Sequence, residues 1–233
     1  SLDVNRVVVS RINCKRTFVT CKIACSQDGG IGLKTGGSKW ITAKKSRVDV
    51  HKLRANADAI LTGIGRVLAD KPKLTVRNKE GKKLGKGIHP KRYVLDSKLR
   101  LKGNENLLTD GLETTIFCHK LKKVDYQNSH IKIVEAAGKS NRVSLKKVMD
   151  YLNKEECNYL MVIAGSKINT SFITSKLIDE LIFYVAPTTL GENKINFTEF
   201  ESSVSTIGTI HLKLQEINEI VPDITHITKP IYS

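Results

Sequence analysis

Short β-branched, apolar runs alternate with helix-length amphipathic stretches along this chain, and three of the runs end in small or hydroxyl residues. Asp58–Leu61 leads into Gly63 and Gly65, Arg92–Leu95 into Asp96 and Ser97, and Tyr159–Ala164 into Gly165 and Ser166. Strands separated by helices must reach their neighbours by crossover, which makes a parallel sheet. The last part, from His211 onward, alternates like an antiparallel pair instead. The expected fold class is therefore α/β: a central, mainly parallel sheet with an antiparallel C-terminal edge and flanking helices.

The remaining elements fit this frame. Thr17–Ala24 (TFVTCKIA) reads as the first strand, followed by glycines 29, 30, 32, 36 and 37 and then Trp40. Thr42 is the expected cap of a helix through about Arg54, and a short helix over Arg66–Ala69 must stop before Pro72. Thr114–Cys118 and Ile131–Val134 are further strands. Ser144 caps a helix to about Lys154, with Leu145, Val148, Met149 and Leu152 on one face. Leu181–Ala186 is a strand that stops at Pro187, and 77–91 is a polar surface loop. No linker is long enough to divide the 233 residues.

Composition narrows the partners. Lys and Arg number 39 against 23 Asp and Glu, a net charge of +16. The basic residues are spread along the chain, and none of the stretches interleaves them with aromatics as base-stacking surfaces do. This argues against nucleic acid and leaves two readings, a small anionic ligand such as a phosphorylated metabolite or dinucleotide, or a Lys-rich composition that keeps the surface soluble. No apolar run reaches the length of a membrane helix. The five cysteines include no CxxC, so buried free thiols in a reducing cytoplasm are expected rather than a disulfide framework or zinc.

Ligands of open α/β sheets sit beyond the carboxyl ends of strands, and helix N-termini there attract phosphate. Arg54, Arg66 and Arg77 supply guanidinium groups suited to that anion. GxGxxG, the GxxxxGK[ST] loop, GxSxG, the zinc-deaminase signature and paired carboxylates are all missing. Chemistry carried by a bound cofactor is the reading that remains.

FVTCKIACSQDGGIGLKTGGSKWIT, then RVDVHKLRANADAILTGIGRVLADKPKLTVR, YVLDS and LIDELIFYVAPTTLG, resemble the riboflavin-biosynthesis pyrimidine reductase family over about residues 17–191. The resemblance implies a dihydrofolate-reductase-like fold and NADPH-dependent reduction of 5-amino-6-(5-phosphoribosylamino)uracil, without a metal. It also implies roles for matched residues. Lys22 looks like the family's lysine near the reacting centre. Ser38, Arg54, Leu74 and Arg77 fall on substrate positions. Ala24, Trp40, Asp70, Ser97 and the turn at Gly165 and Ser166 fall on NADPH positions. Arg66, where many relatives carry Thr, resembles the phosphate-contacting Gly-Arg of dihydrofolate reductases.

One departure is Ile163, which stands where the family has a substrate-contacting Glu. The VIAG sequence around it also resembles dihydrofolate reductase. Folate reduction and a non-catalytic nucleotide-binding relic are the alternative readings. Residues 1–16 resemble the connector behind the family's N-terminal deaminase domain, which would make 17–233 the reductase domain. A homodimer is the oligomer the resemblance implies.

Overall fold

The computed structural model describes residues 7, 15–36, 41–78, 80–85, 87–124, 126, 128–200 and 210–232. The chain forms two compact units, one of residues 1–18 and 54–161 and the other of 19–53 and 162–233. Both are discontinuous in sequence, so no linker marks their boundary. No helix among the described residues is long and apolar enough to cross a membrane.

In the first unit the strands are β3 (Ala59–Gly63), β4 (Lys91–Leu95), β5 (Thr114–Cys118) and β6 (Ile131–Glu135), all parallel in that order. Most of β7 (Tyr159–Val162) lies on the other side of β3. Every residue of β3 and β5 is buried, as expected of parallel strands covered on both faces. At the edge, β6 buries no residue fully. A short helix, α2 (Ile64–Asp70), follows β3 directly and packs Ile64 and Val67 with Val94, Leu101, Leu108 and Ile116. Helix α3 (Leu145–Lys154) begins where its sequence predicts. Ser144 Oγ accepts from the Lys147 amide, and Val148, Met149 and Leu152 are buried. Arg92 is an unusual core residue, 1% exposed. Asp110 binds its guanidinium with both oxygens, at 2.8 and 2.9 Å, and the Lys73 and Leu112 carbonyls take further donors. This satisfies the charge whose burial would otherwise be prohibitive.

The second unit holds most of β1 (Phe18–Ser26), which pairs in parallel with β8 (Glu180–Ala186). The antiparallel C-terminal edge is β11 (Asp223–Ile231) on β8, then β10 (His211–Ile220) on β11. The glycine stretch after β1 contains a strand the sequence reading missed. This is β2 (Gly30–Leu33), paired with β9 (Lys194–Asn196) far along the chain. The next helix, α1 (Lys44–Asn56), starts one residue after the position expected from Thr42. Its start is held from a distance: Asp223 Oδ2 accepts from the Ala43 amide at 2.7 Å and from the Ser46 hydroxyl. Helix α4 (Ser166–Thr174) opens at Gly165.

Candidate active site

Six of the expected site residues lie in the first unit. Arg54 closes α1, and Arg66 and Asp70 are on α2. Leu74 and Arg77 belong to the segment that follows, and Ser97 lies just past β4. Arg54 Nη1 donates to the Thr75 carbonyl at 3.3 Å, and Arg77 Nε lies 3.5 Å from Thr75 Oγ1. Arg66 pairs with Asp70 one helical turn on, at 3.4 Å. Burial, followed by the positive charges of Arg66 and Arg77, pushes the Arg54 pKa down to about 10. Arg54 still carries its charge at neutral pH. The structure therefore brings together three guanidinium groups that the sequence divided between substrate and cofactor.

The segment bearing Arg77 is held tightly. Leu74 is buried with φ at 54°, in the left-handed region that costs a non-glycine residue about 1–3 kcal/mol. Such strain persists only where the surroundings fix it. Here the Val76 amide donates to His89 Nδ1 at 3.1 Å, the Leu84 amide donates to the Val76 carbonyl, and Arg77 bridges Lys83. Burial and, second, the Lys83 charge hold the His89 pKa below its ordinary value, which favours the neutral ring that can accept at Nδ1. Ser97 Oγ accepts from the Val143 amide at 3.1 Å. Beside it, the buried Asp96 takes the amides of Arg100 and Leu101 and turns the chain.

The second unit holds Lys22, Ala24, Gly165 and Ser166, while Ser38 and Trp40 lie outside the described residues. Strand β1 alternates, so Lys22 and Ala24 point to one side and the buried Cys21, Ile23 and Cys25 to the other. Gly165 has an extended backbone, φ −92° and ψ 175°. That conformation does not require glycine, and a Cβ there would meet nothing within 4 Å. What its absence provides is open space at the start of α4. The Ser166 hydroxyl is buried and donates to Glu199 Oε1 at 2.7 Å. Ile163 is 2% exposed just beyond β7.

Several polar residues of this unit carried no signal in the sequence. Tyr184 on β8 donates to Asp49 of α1, and its ring faces the Lys22 ammonium. Asp28 accepts from Ser26 and from the Leu190 and Gly191 amides. The Ser26 hydroxyl is the main reason its carboxyl stays far below the usual range. Asp28, Gly29, Asn196, Phe197, Thr198, Glu199 and Phe200 line an open cleft of about 550 Å³. These contacts join residues up to 163 positions apart, which no local motif encodes.

Comparisons with known proteins agree with this α/β architecture. The family model of the RibD C-terminal domain matches residues 17–226. "Riboflavin biosynthesis protein RibD" of Buchnera aphidicola subsp. Baizongia pistaciae is 30% identical over 96% of this chain and 62% of its own length. The "5-amino-6-(5-phosphoribosylamino)uracil reductase" of Buchnera aphidicola subsp. Acyrthosiphon pisum is 30% identical over 85% of this chain and 99% of its own. Among solved structures, Acinetobacter baumannii RibD superposes with a TM-score of 0.83 at 27% identity, covering 99% of this chain and 62% of that one. The fold is that of the RibD-type reductases, an α/β class with a mostly parallel central sheet. Within that class, this chain belongs to the RibD C-terminal domain family. It spans 62% of the length of the first of these relatives.

Proposed function

We propose that this domain reduces 5-amino-6-(5-phosphoribosylamino)uracil to its ribitylamino product with NADPH. The observation that carries the reading is the cluster of Arg54, Arg66 and Arg77 around the strained Leu74 segment. Arg54 feels the positive charges of both Arg66 and Arg77, so an anionic partner relieves it, and the phosphate of this substrate supplies a dianion for Arg54 and Arg77. The name of the reductase of Buchnera aphidicola subsp. Acyrthosiphon pisum, to which the chain is similar along almost all of that protein, points to the same reaction.

NADPH would supply the hydride, which the family resemblance directs to C1′ of the ring-opened sugar imine. Lys22 then has one task, to stabilise or protonate the charge that develops beside that carbon. Arg54 and Arg77 orient the sugar phosphate, with Ser38 and Leu74 as further substrate contacts. Ala24, Trp40, Arg66, Asp70, Ser97, Gly165 and Ser166 are assigned to the cofactor. The open space at Gly165 suits a close approach of phosphate to the first amides of α4. With its hydroxyl turned to Glu199, Ser166 would contribute its backbone amide.

Absorbance of the reduced nicotinamide tests this directly, with the phosphoribosylaminouracil and dihydrofolate offered separately. Turnover of the uracil alone is expected. Turnover of dihydrofolate alone would overturn the assignment in favour of a pterin reductase. Binding of NADPH without either reaction would indicate a nucleotide-binding relic.

We also infer a homodimer, in the cytoplasm, where the buried thiols stay reduced. Leu212, Leu214 and Ile217 of β10 are exposed. They pair with Pro230, Thr228 and His226, and the bulge at Gln215 keeps all three on one face of the edge strand. Such an edge invites a partner. Ile217→Lys should shift the light-scattering mass to that of a single chain; an unchanged mass would place the interface elsewhere.

A further inference from the structure

Ala24 lies opposite Tyr184 in the parallel register of β1 and β8, so Lys22 and Tyr184 are diagonal neighbours on one face. The Lys22 ammonium sits 5.2 Å from the centroid of the Tyr184 ring, within the range at which a ring face attracts a cation. The ring is 1% exposed and cannot swing away. Its hydroxyl donates to Asp49 Oδ2 at 2.8 Å, and Lys52 lies 3.4 Å from the other oxygen of that carboxylate. A phenol whose proton is drawn toward a carboxylate has a more electron-rich ring, which strengthens its hold on a cation.

We propose that Tyr184 and Asp49 are a positioning pair for Lys22: α1 fixes the phenol, and the phenol ring fixes the ammonium. Neither residue touches the reacting atoms in this role. The proposal rests on the reading of Lys22 as the group beside the reacting carbon. Among the described residues of this unit, Cys21 and Cys25 on β1 are ionisable groups close enough to feel Lys22. Burial pushes these thiols up to about 12 and about 11, above the ordinary lysine range. Beyond the phenol stand Asp49 and Lys52.

The test is steady-state kinetics with NADPH and the phosphoribosylaminouracil between about pH 7 and about pH 11.5, a window that spans the ordinary lysine pKa of about 10.4. Tyr184→Leu removes the ring and should lower kcat about tenfold, with both KM values within about twofold of the parent. The basic limb of its pH profile should move to lower pH, because the ammonium has lost a favourable contact. Tyr184→Phe keeps the ring without the Asp49 bond, and about a threefold loss is expected. Asp49→Asn keeps an uncharged acceptor and should fall between Tyr184→Phe and the parent. If Tyr184→Leu does not fold, the other two variants carry the test. Variants with normal kcat and an unmoved basic limb, alongside an inactive Lys22→Ala, would overturn the positioning pair alone. Full turnover by Lys22→Ala would overturn the reading of Lys22 and the pair with it.

Discussion

The two units gather their polar residues in opposite ways. In the first, Arg54, Arg66, Asp70, Leu74 and Arg77 come from one stretch of chain, joined by contacts such as Arg66 to Asp70 one turn away. In the second, Lys22 meets Tyr184, Tyr184 meets Asp49, and Asp223 reaches back to Ala43 and Ser46. A site made from one stretch can be read as a motif. A site made from strand register depends on the fold being complete before its residues meet.

The largest expected effect on activity tests the local cluster. Arg77→Ala should reduce kcat/KM about tenfold to a hundredfold, mainly through the KM of the phosphorylated substrate, since bonds to a charged group contribute about 1.5–3 kcal/mol. Initial rates over a substrate series check this, and an unchanged KM would remove Arg77 from the phosphate site. Next come two caps, one from each unit. Asp223→Ala loses a buried carboxylate that accepts two bonds at the start of α1 and should lower stability by about 3 kcal/mol in urea unfolding. Ser144→Ala removes the local cap of α3 and should cost about 1 kcal/mol. Equal losses would mean that the distant cap is no stronger than the local one, and the contrast would weaken.

The smallest effect is a slope with pH. His89 titrates below its ordinary 6.5 in the folded protein. The unfolded chain therefore binds the extra proton first as pH falls. The stability contributed by the neutral ring is complete above about 6.5 and declines as pH falls toward the lower folded value. Across that window His89→Asn should flatten the dependence of the urea midpoint on pH. A parallel dependence in both proteins would show that the Val76 contact does not sense protonation.

Legibility followed the same division. Strand runs such as Asp58–Leu61, observed as Ala59–Gly63, and Thr114–Cys118 were readable because burial on both faces demands continuous apolar and β-branched residues. Ser144 and the face of Val148, Met149 and Leu152 were readable because capping and helical period are local. The β2–β9 pair was not, because its two strands are short, glycine-containing or polar, and more than 160 residues apart. The start of α1 shifted for a similar reason, as its cap comes from Asp223. The arginines were visible as residue types. Their convergence on one another, and the commitment of Ser166 to Glu199, required coordinates.

The reach of Asp223 has a consequence in time. A chain is made from its N-terminus at about 5–20 residues per second. The carboxylate that ties the start of α1 lies 177 residues beyond Ser46, so roughly 9–35 seconds of synthesis separate the helix from its cap. Over the same interval the successive parallel strands β3 to β6 emerge with their neighbours close behind. On the ribosome the arginine-bearing unit can mature early, while the start of α1 waits for Asp223.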